Sequence, residues 1–209
     1  MIDLVEALSG KWDDGTRPAD LYSGHVALDP VYYAPFIVAG LSCEDRRVQN
    51  GCAELASLLA EEHPELLLEH LSLFESNLSN PAKAIRWEAV CTLGHLSSAA
   101  TPSAQDGWVT AIIPFLRDKS IVLQGHALRS LARIGAAHGE YAPRVFDAIT
   151  GAADAFPRNR LGFVAEAIEI LADAPEVRES ARAFLEPLTT SSVSVVARKA
   201  KRALKSLSR

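Results

Sequence analysis

The sequence predicts an all-α fold, a right-handed α-α superhelix of about five helical hairpins, and three observations carry that reading. The first is a repeat. A small residue with Leu four positions on recurs at Gly51, Ala89, Ala127, Ala167 and Ala203, spaced 38, 38, 40 and 36 residues apart. A period of this length marks a supersecondary unit stacked on copies of itself. The second is that helical apolar spacing accompanies the copies: Leu55 and Leu58 follow Gly51, Leu93 and Leu96 follow Ala89, and Leu131 and Ile134 follow Ala127. The third is bulk. A chain of 209 residues with 48% hydrophobic content buries one continuous core. Strand-like alternation appears only at residues 192–196, where the repeat register overrides local β-propensity.

The elements follow in order. Residues 1–30 read as an N-terminal helix and an irregular capping segment, and residues 31–209 as the repeat domain. A short helix is expected over 2–9. The stretch from Trp12 to Pro30, rich in Asp, Gly and Pro, reads as an irregular lid over the first repeat. Val31 to Leu41 supplies one helix and Glu44 to Glu61 its partner, with Ser42 as the N-cap. Pro64 suits a first turn and opens a helix to about Leu78, which Ser79-Asn80-Pro81 ends. Helices then recur over 82–98 and 105–117, 119–137 and 140–155, 158–173 and 175–188, with a last one over 192–207. The breaks fall at Thr101-Pro102, Asp118, His138-Gly139, Pro157 and Pro175.

Charge and cysteine content narrow the function classes. The net charge of −5 conceals a net of −10 over residues 1–80, from 14 acids against 4 bases, and +5 over residues 81–209, from 12 against 17. The basic end gathers Arg198, Lys199, Lys201, Arg202, Lys205 and Arg209, with no acid after Glu186. These cations fit a solvated last helix whose C-terminal dipole they complement, or a site for phosphate or an acidic protein. Cys43, Cys52 and Cys91 form an odd set without CxxC spacing, which argues against a disulfide framework or zinc ribbon and for a reducing compartment. The first six residues lack a basic start and apolar core, and no apolar run approaches the roughly 20 residues of a membrane span. The expected location is the cytoplasm, with no membrane partner.

Alternating helices at this period, and second helices such as residues 85–96 (Ile-Arg-Trp-Glu-Ala-Val-Cys-Thr-Leu-Gly-His-Leu), resemble HEAT repeats over residues 31–209. The Asp and Arg often placed between HEAT helices are matched only patchily, Arg47 and Arg86 being the nearest candidates. The resemblance implies scaffolding or protein binding on a concave surface lined by the second helices, although a fold alone does not prove a function. Two enzymatic variations on this architecture are disfavoured. Its metal-dependent hydroxylases use His-Glu dipeptides, of which this chain has none, and its DNA glycosylases use a basic channel, which the acidic first 80 residues oppose.

At 100° per residue, positions five and one before each anchor, and two and six after it, face away from the buried stripe. On this rule the partner-binding candidates are Arg46, Glu88, His95, His126, Arg129, Arg133, Glu166 and Glu169. Their alternation in sign has two readings, a charge-patterned docking groove or inter-repeat ion pairs worth about 0–1 kcal/mol each. Glu88, Cys91 and His95 share a face, with His126 equivalent to Glu88 one repeat on, and these are acceptable metal-ligand types. A small half-buried Cys91 among ordinary groove histidines accounts for them without a metal. Trp87 and Trp108 read as core, and His25, His63, His70 and His138 form no triad. No Gly-rich phosphate loop is present. The expected function is therefore a non-catalytic protein-binding module, without cofactor, for another protein or a peptide. The alternative is a nucleic-acid module using Arg133, Arg158, Arg160 and the basic last helix.

Overall fold

A computed structural model describes residues 2–10 and 17–208. Among the described residues all regular structure is helical, as twelve α-helices joined by turns and short 3-10 segments. The chain divides between Ala99 and Ala100 into two compact units.

In the first unit, α1 (Leu4–Ser9) starts where the Asp3 carboxylate accepts from the backbone N–H groups of Val5 and Glu6, satisfying two donors that the helix leaves open. Its Leu4 and Leu8 are buried. Next comes α2 (Pro18–Gly24), inside the stretch that composition marks as irregular. Pro18 suits the first turn, the Asp20 carboxylate accepts from the Arg17 N–H, and Leu21 and Tyr22 gain burial, so the helix forms in spite of its breakers. Trp12, part of the same expectation, lies outside the described residues. The Tyr22 hydroxyl donates to Glu62 at 2.9 Å. That bond fixes α2 to the end of α4.

The hairpins begin with α3 (Pro30–Gly40) and α4 (Arg46–Glu62). The N-cap of α4 is Asp45 and not Ser42: its carboxylate accepts from the Arg47 N–H at 2.8 Å, and the helix starts two residues later than expected. A single helix was expected from Pro64, but residues 64–70 form 3-10 turns and only Leu71–Asn77 is α5. The hairpin closes with α6 (Lys83–Leu96), which packs along α4.

The second unit contains three hairpins, α7 (Pro102–Ile112) with α8 (Ile121–Ala137), α9 (Ala142–Gly151) with α10 (Leu161–Leu171), and α11 (Arg178–Leu185) with α12 (Ser194–Ser206). Ser120 caps α8, accepting from the Leu123 N–H. The helices expected over 105–117 and 175–188 end early. Pro114 and Pro187 cannot donate an α-helical bond, and the chain tightens there into 3-10 turns at residues 113–117 and 186–190. Second helices lie side by side, α8 on α10 and α10 on α12.

All five anchors are buried, and Leu55, Leu93, Leu131 and Leu171 beyond four of them are fully so. The small residue has a steric reason at Gly51, where a Cβ would stand 2.5 Å from Leu8 Cδ2 of α1. Trp108 is a core residue, 1% exposed. In the second unit the first helices are laced by polar bonds that span one repeat. Arg144 donates to the Asp106 carboxylate and the Thr110 hydroxyl, both at 2.8 Å. Arg117 donates to the Gly151 carbonyl at 2.6 Å and to Asp154 at 2.9 Å, and the Tyr141 hydroxyl donates to the Pro102 carbonyl at 2.8 Å. Among the described residues no helix is long and apolar enough to cross a membrane.

Candidate functional site

The residues singled out by the helical register separate into two groups. Arg46, Glu88 and His95 belong to the first unit, and His126, Arg129, Arg133, Glu166 and Glu169 to the second. In the first unit Arg46 is exposed in the first turn of α4. Glu88 and His95 on α6 are half-buried, and Ala53, Ser57 and Cys91, which the register also turns away from the buried stripe, are buried instead, because α4 and α6 pack together. The Glu88 carboxylate accepts the Trp87 indole N–H at 2.9 Å. Burial pushes the Glu88 carboxyl up to about 7; the Trp87 and Ser57 hydrogen bonds oppose that rise and the nearby Glu54 charge adds to it. Burial also raises Glu54, against the pull of Arg17. Glu88 is thus a titrating group at a helix junction. Among the described residues no three His, Cys, Asp or Glu side chains converge closely enough to hold a metal ion.

In the second unit the acids of α10 are committed to the bases of α12. Glu166 accepts from Lys199 Nζ at 2.8 Å, and Arg202 reaches Glu169 at 2.9 Å and Glu166 at 3.4 Å. The two glutamate side chains are only 23% and 20% exposed. Gly162 makes the Lys199 approach possible, because a Cβ there would stand 2.9 Å from Lys199 Cδ. The lysine stem lies across α10 at that point, with Nζ 4.6 Å from the Phe163 ring centroid. For Glu166 and Glu169 the structure therefore shows the inter-repeat ion pairs that the sign alternation also allowed.

The cations of α8 sit differently. His126 and Arg129 line a recess of about 180 Å³ whose apolar walls are Ile121, Val122, Phe156 and Phe163. Ile121 and Val122 are 42% and 49% exposed, unusual for β-branched aliphatics with no partner over them. Arg160, in the turn before α10, completes the rim with its guanidinium 5.9 Å from the Phe163 centroid. Neither Arg129 nor Arg160 pairs with a carboxylate among the described residues. Burial first, and the Arg129 charge second, hold the His126 imidazole below its usual value, so it is neutral near pH 7. Arg133 follows on the same helix, half-buried. The register had placed His126, Arg129 and Val122 together. It left out Ile121, Gly125, Phe156 and Phe163, and named Arg160 only for phosphate binding. In the first unit a second hollow, about 460 Å³, lies against Val5, Tyr32 and Phe36, where the one charged group, Asp3, is used in capping α1.

No family model matches the sequence, and no curated protein matches it. Solved structures do. An engineered protein superposes with a TM-score of 0.61 at 20% identity, covering 100% of this chain and 97% of that one. A designed armadillo repeat protein, solved in complex with the peptide (KR)4, gives a TM-score of 0.65 at 18% identity over 98% of this chain and 90% of that one. The karyopherin Kap121p gives 0.67 at 14% identity over 87% of this chain, which spans only 20% of that much longer protein. At such identities the likeness establishes fold alone. That fold is an all-α helical-repeat solenoid of the armadillo and HEAT kind.

Proposed function

We propose that this chain is a HEAT-like, non-catalytic protein-binding module whose second helices present a docking face to another protein or a peptide. The observation that carries the reading is the recess beside α8, where exposed Ile121 and Val122 adjoin two guanidinium groups, Arg129 and Arg160, without carboxylate partners. Exposed apolar surface rimmed by unsatisfied charge is what a binding site leaves open when its partner is away. Similar folds support the use: the designed armadillo protein was solved with a peptide, and Kap121p was solved bound to the extreme C-terminus of the phosphatase Cdc14p. Packed helices hold the side chains in place, so a partner docks at a small ordering cost.

The nucleic-acid reading loses ground to the ion pairs. Two of the six cations at the basic end, Lys199 and Arg202, are held by Glu166 and Glu169. Capture from native lysate at low and moderate salt, with nuclease treatment, separates the readings. One protein enriched by the wild-type chain under all conditions, and lost with Arg129→Glu plus Arg133→Glu at unchanged helicity, is the expected result. Recovery of nucleic acid that vanishes with salt or nuclease overturns it.

A further inference from the structure

We infer that the recess beside α8 is a side-chain pocket for an acidic peptide, taking one aromatic or large apolar residue while the carboxylates next to it in the peptide pair with Arg129 and Arg160. The inference rests on the protein-binding reading and specifies the ligand chemistry. Size comes first. At about 180 Å³ the recess exceeds the ~150 Å³ of an apolar protein cavity known to admit benzene, so a Phe or Leu side chain fits where water gains little. Its walls match that occupant: Phe156 is 6% exposed and forms a fixed surface, and Phe163 lines the recess beside Arg160.

Charge decides the rest of the ligand. No carboxylate lines the recess, and the nearby acids Glu166 and Glu169 are already held by Lys199 and Arg202. With His126 neutral, Arg129 and Arg160 supply an uncompensated positive rim. A basic peptide such as the one on the designed armadillo protein would meet like charge here, and an acidic one meets two planar guanidinium groups suited to carboxylates.

A third observation is independent of charge. Gly125 lies inside α8 and lines the recess, and a Cβ built on it meets no atom within 4 Å. Packing does not require this glycine, in contrast to Gly51 and Gly162, where a Cβ would collide. A glycine inside a helix is less stable than alanine, and the effect of its missing side chain is to keep the recess open. Gly107 of α7 has similar free space but lines neither hollow.

The test is fluorescence anisotropy with the full chain and four labelled ligands: an extended Asp/Glu-rich peptide with one central Phe, the same peptide with Ala for Phe, the (KR)4 peptide, and single-stranded oligothymidine. The expected result is saturable binding of the Phe peptide, weakened at least about tenfold by Phe→Ala in the peptide and by Arg129→Ala plus Arg160→Ala in the protein. Gly125→Leu, whose side chain grows into the recess without a packing conflict, should weaken it as much with thermal stability kept or raised. Binding of the Phe peptide that ignores Gly125→Leu and the arginine variant overturns the pocket and leaves a protein-binding module with its site elsewhere. Preference for (KR)4 overturns the charge assignment, again without touching the module. Preference for oligothymidine overturns both readings. Absence of any binding up to about 1 mM overturns the pocket, and lysate capture then decides the module by itself.

Discussion

Replacing Glu88 with Gln should make the protein more stable at and above neutral pH, with the gain fading to almost nothing by about pH 4.5. Folded Glu88 titrates near 7 against an ordinary value of 4.5, with burial as the main cause. The folded state therefore holds this proton more tightly than the unfolded state. Stability from this group is fully present below about pH 4.5 and is lost as pH rises through 7. By pH 8 the loss approaches about 3 kcal/mol, a large share of the 5–15 kcal/mol that holds a typical domain folded. Gln keeps the shape, and its amide oxygen still accepts from Trp87, so only the ionisation is removed. Urea unfolding followed by circular dichroism should show Glu88→Gln ahead of wild type by about 2–3 kcal/mol at pH 8 and within about 0.5 kcal/mol at pH 4.5. Because Glu54 adds to the shift, Glu54→Gln should shrink the gain at pH 8. A gain equal at both pH values, or none at pH 8, would show that Glu88 ionises freely in the folded protein and that the burial argument is wrong.

Two helix glycines should respond in opposite ways to the same change. Gly125→Ala should raise the melting temperature by about 2–4 °C, since its Cβ enters free space, and Gly51→Ala should cost about 1–3 kcal/mol because its Cβ meets Leu8. Scanning calorimetry checks both, and matching signs would refute the distinction between a glycine that packing needs and one that it does not. For His126, whose pKa lies below the usual value, a bound acidic peptide draws a proton onto the imidazole. Affinity for the Phe peptide should therefore rise as pH falls from about 8 to about 5.5, where peptide carboxylates with pKa near 4 stay charged, and His126→Gln should flatten the profile.

Much of the fold was legible because its strongest signal is repetition. Anchor positions separated by 36 to 40 residues are all buried, and five hairpins follow from them. The boundaries were less legible. Asp45 displaced Ser42 as a cap, and α2 formed because Leu21 and Tyr22 gained burial that composition alone does not reveal. At the candidate site a helical wheel could place His126 and Arg129 on one face of α8, since one helix determines it. It could not place Phe163 or Arg160 beside them, because that depends on the offset between α8 and α10 and on the path of the turn at residues 158–160. The same offset, between α10 and α12, decided that Glu166 and Glu169 would meet Lys199 and Arg202.

The lacing of the first helices bears on which length changes the second unit can absorb. Arg144 reaches back to Asp106 and Thr110, and Tyr141 to Pro102, so partners 34 to 39 residues apart must stay in phase. One residue inserted within α9 just after Arg144 rotates that side chain by about 100° relative to the buried Val145 and Ile149 and severs both of its bonds. The same residue inserted in the turns around 118–120 or 157–160 is taken up by backbone that carries none of these bonds. Drift in the length of this protein should therefore accumulate in its connecting turns, and its helices should behave as fixed gauges that keep one repeat in step with the next.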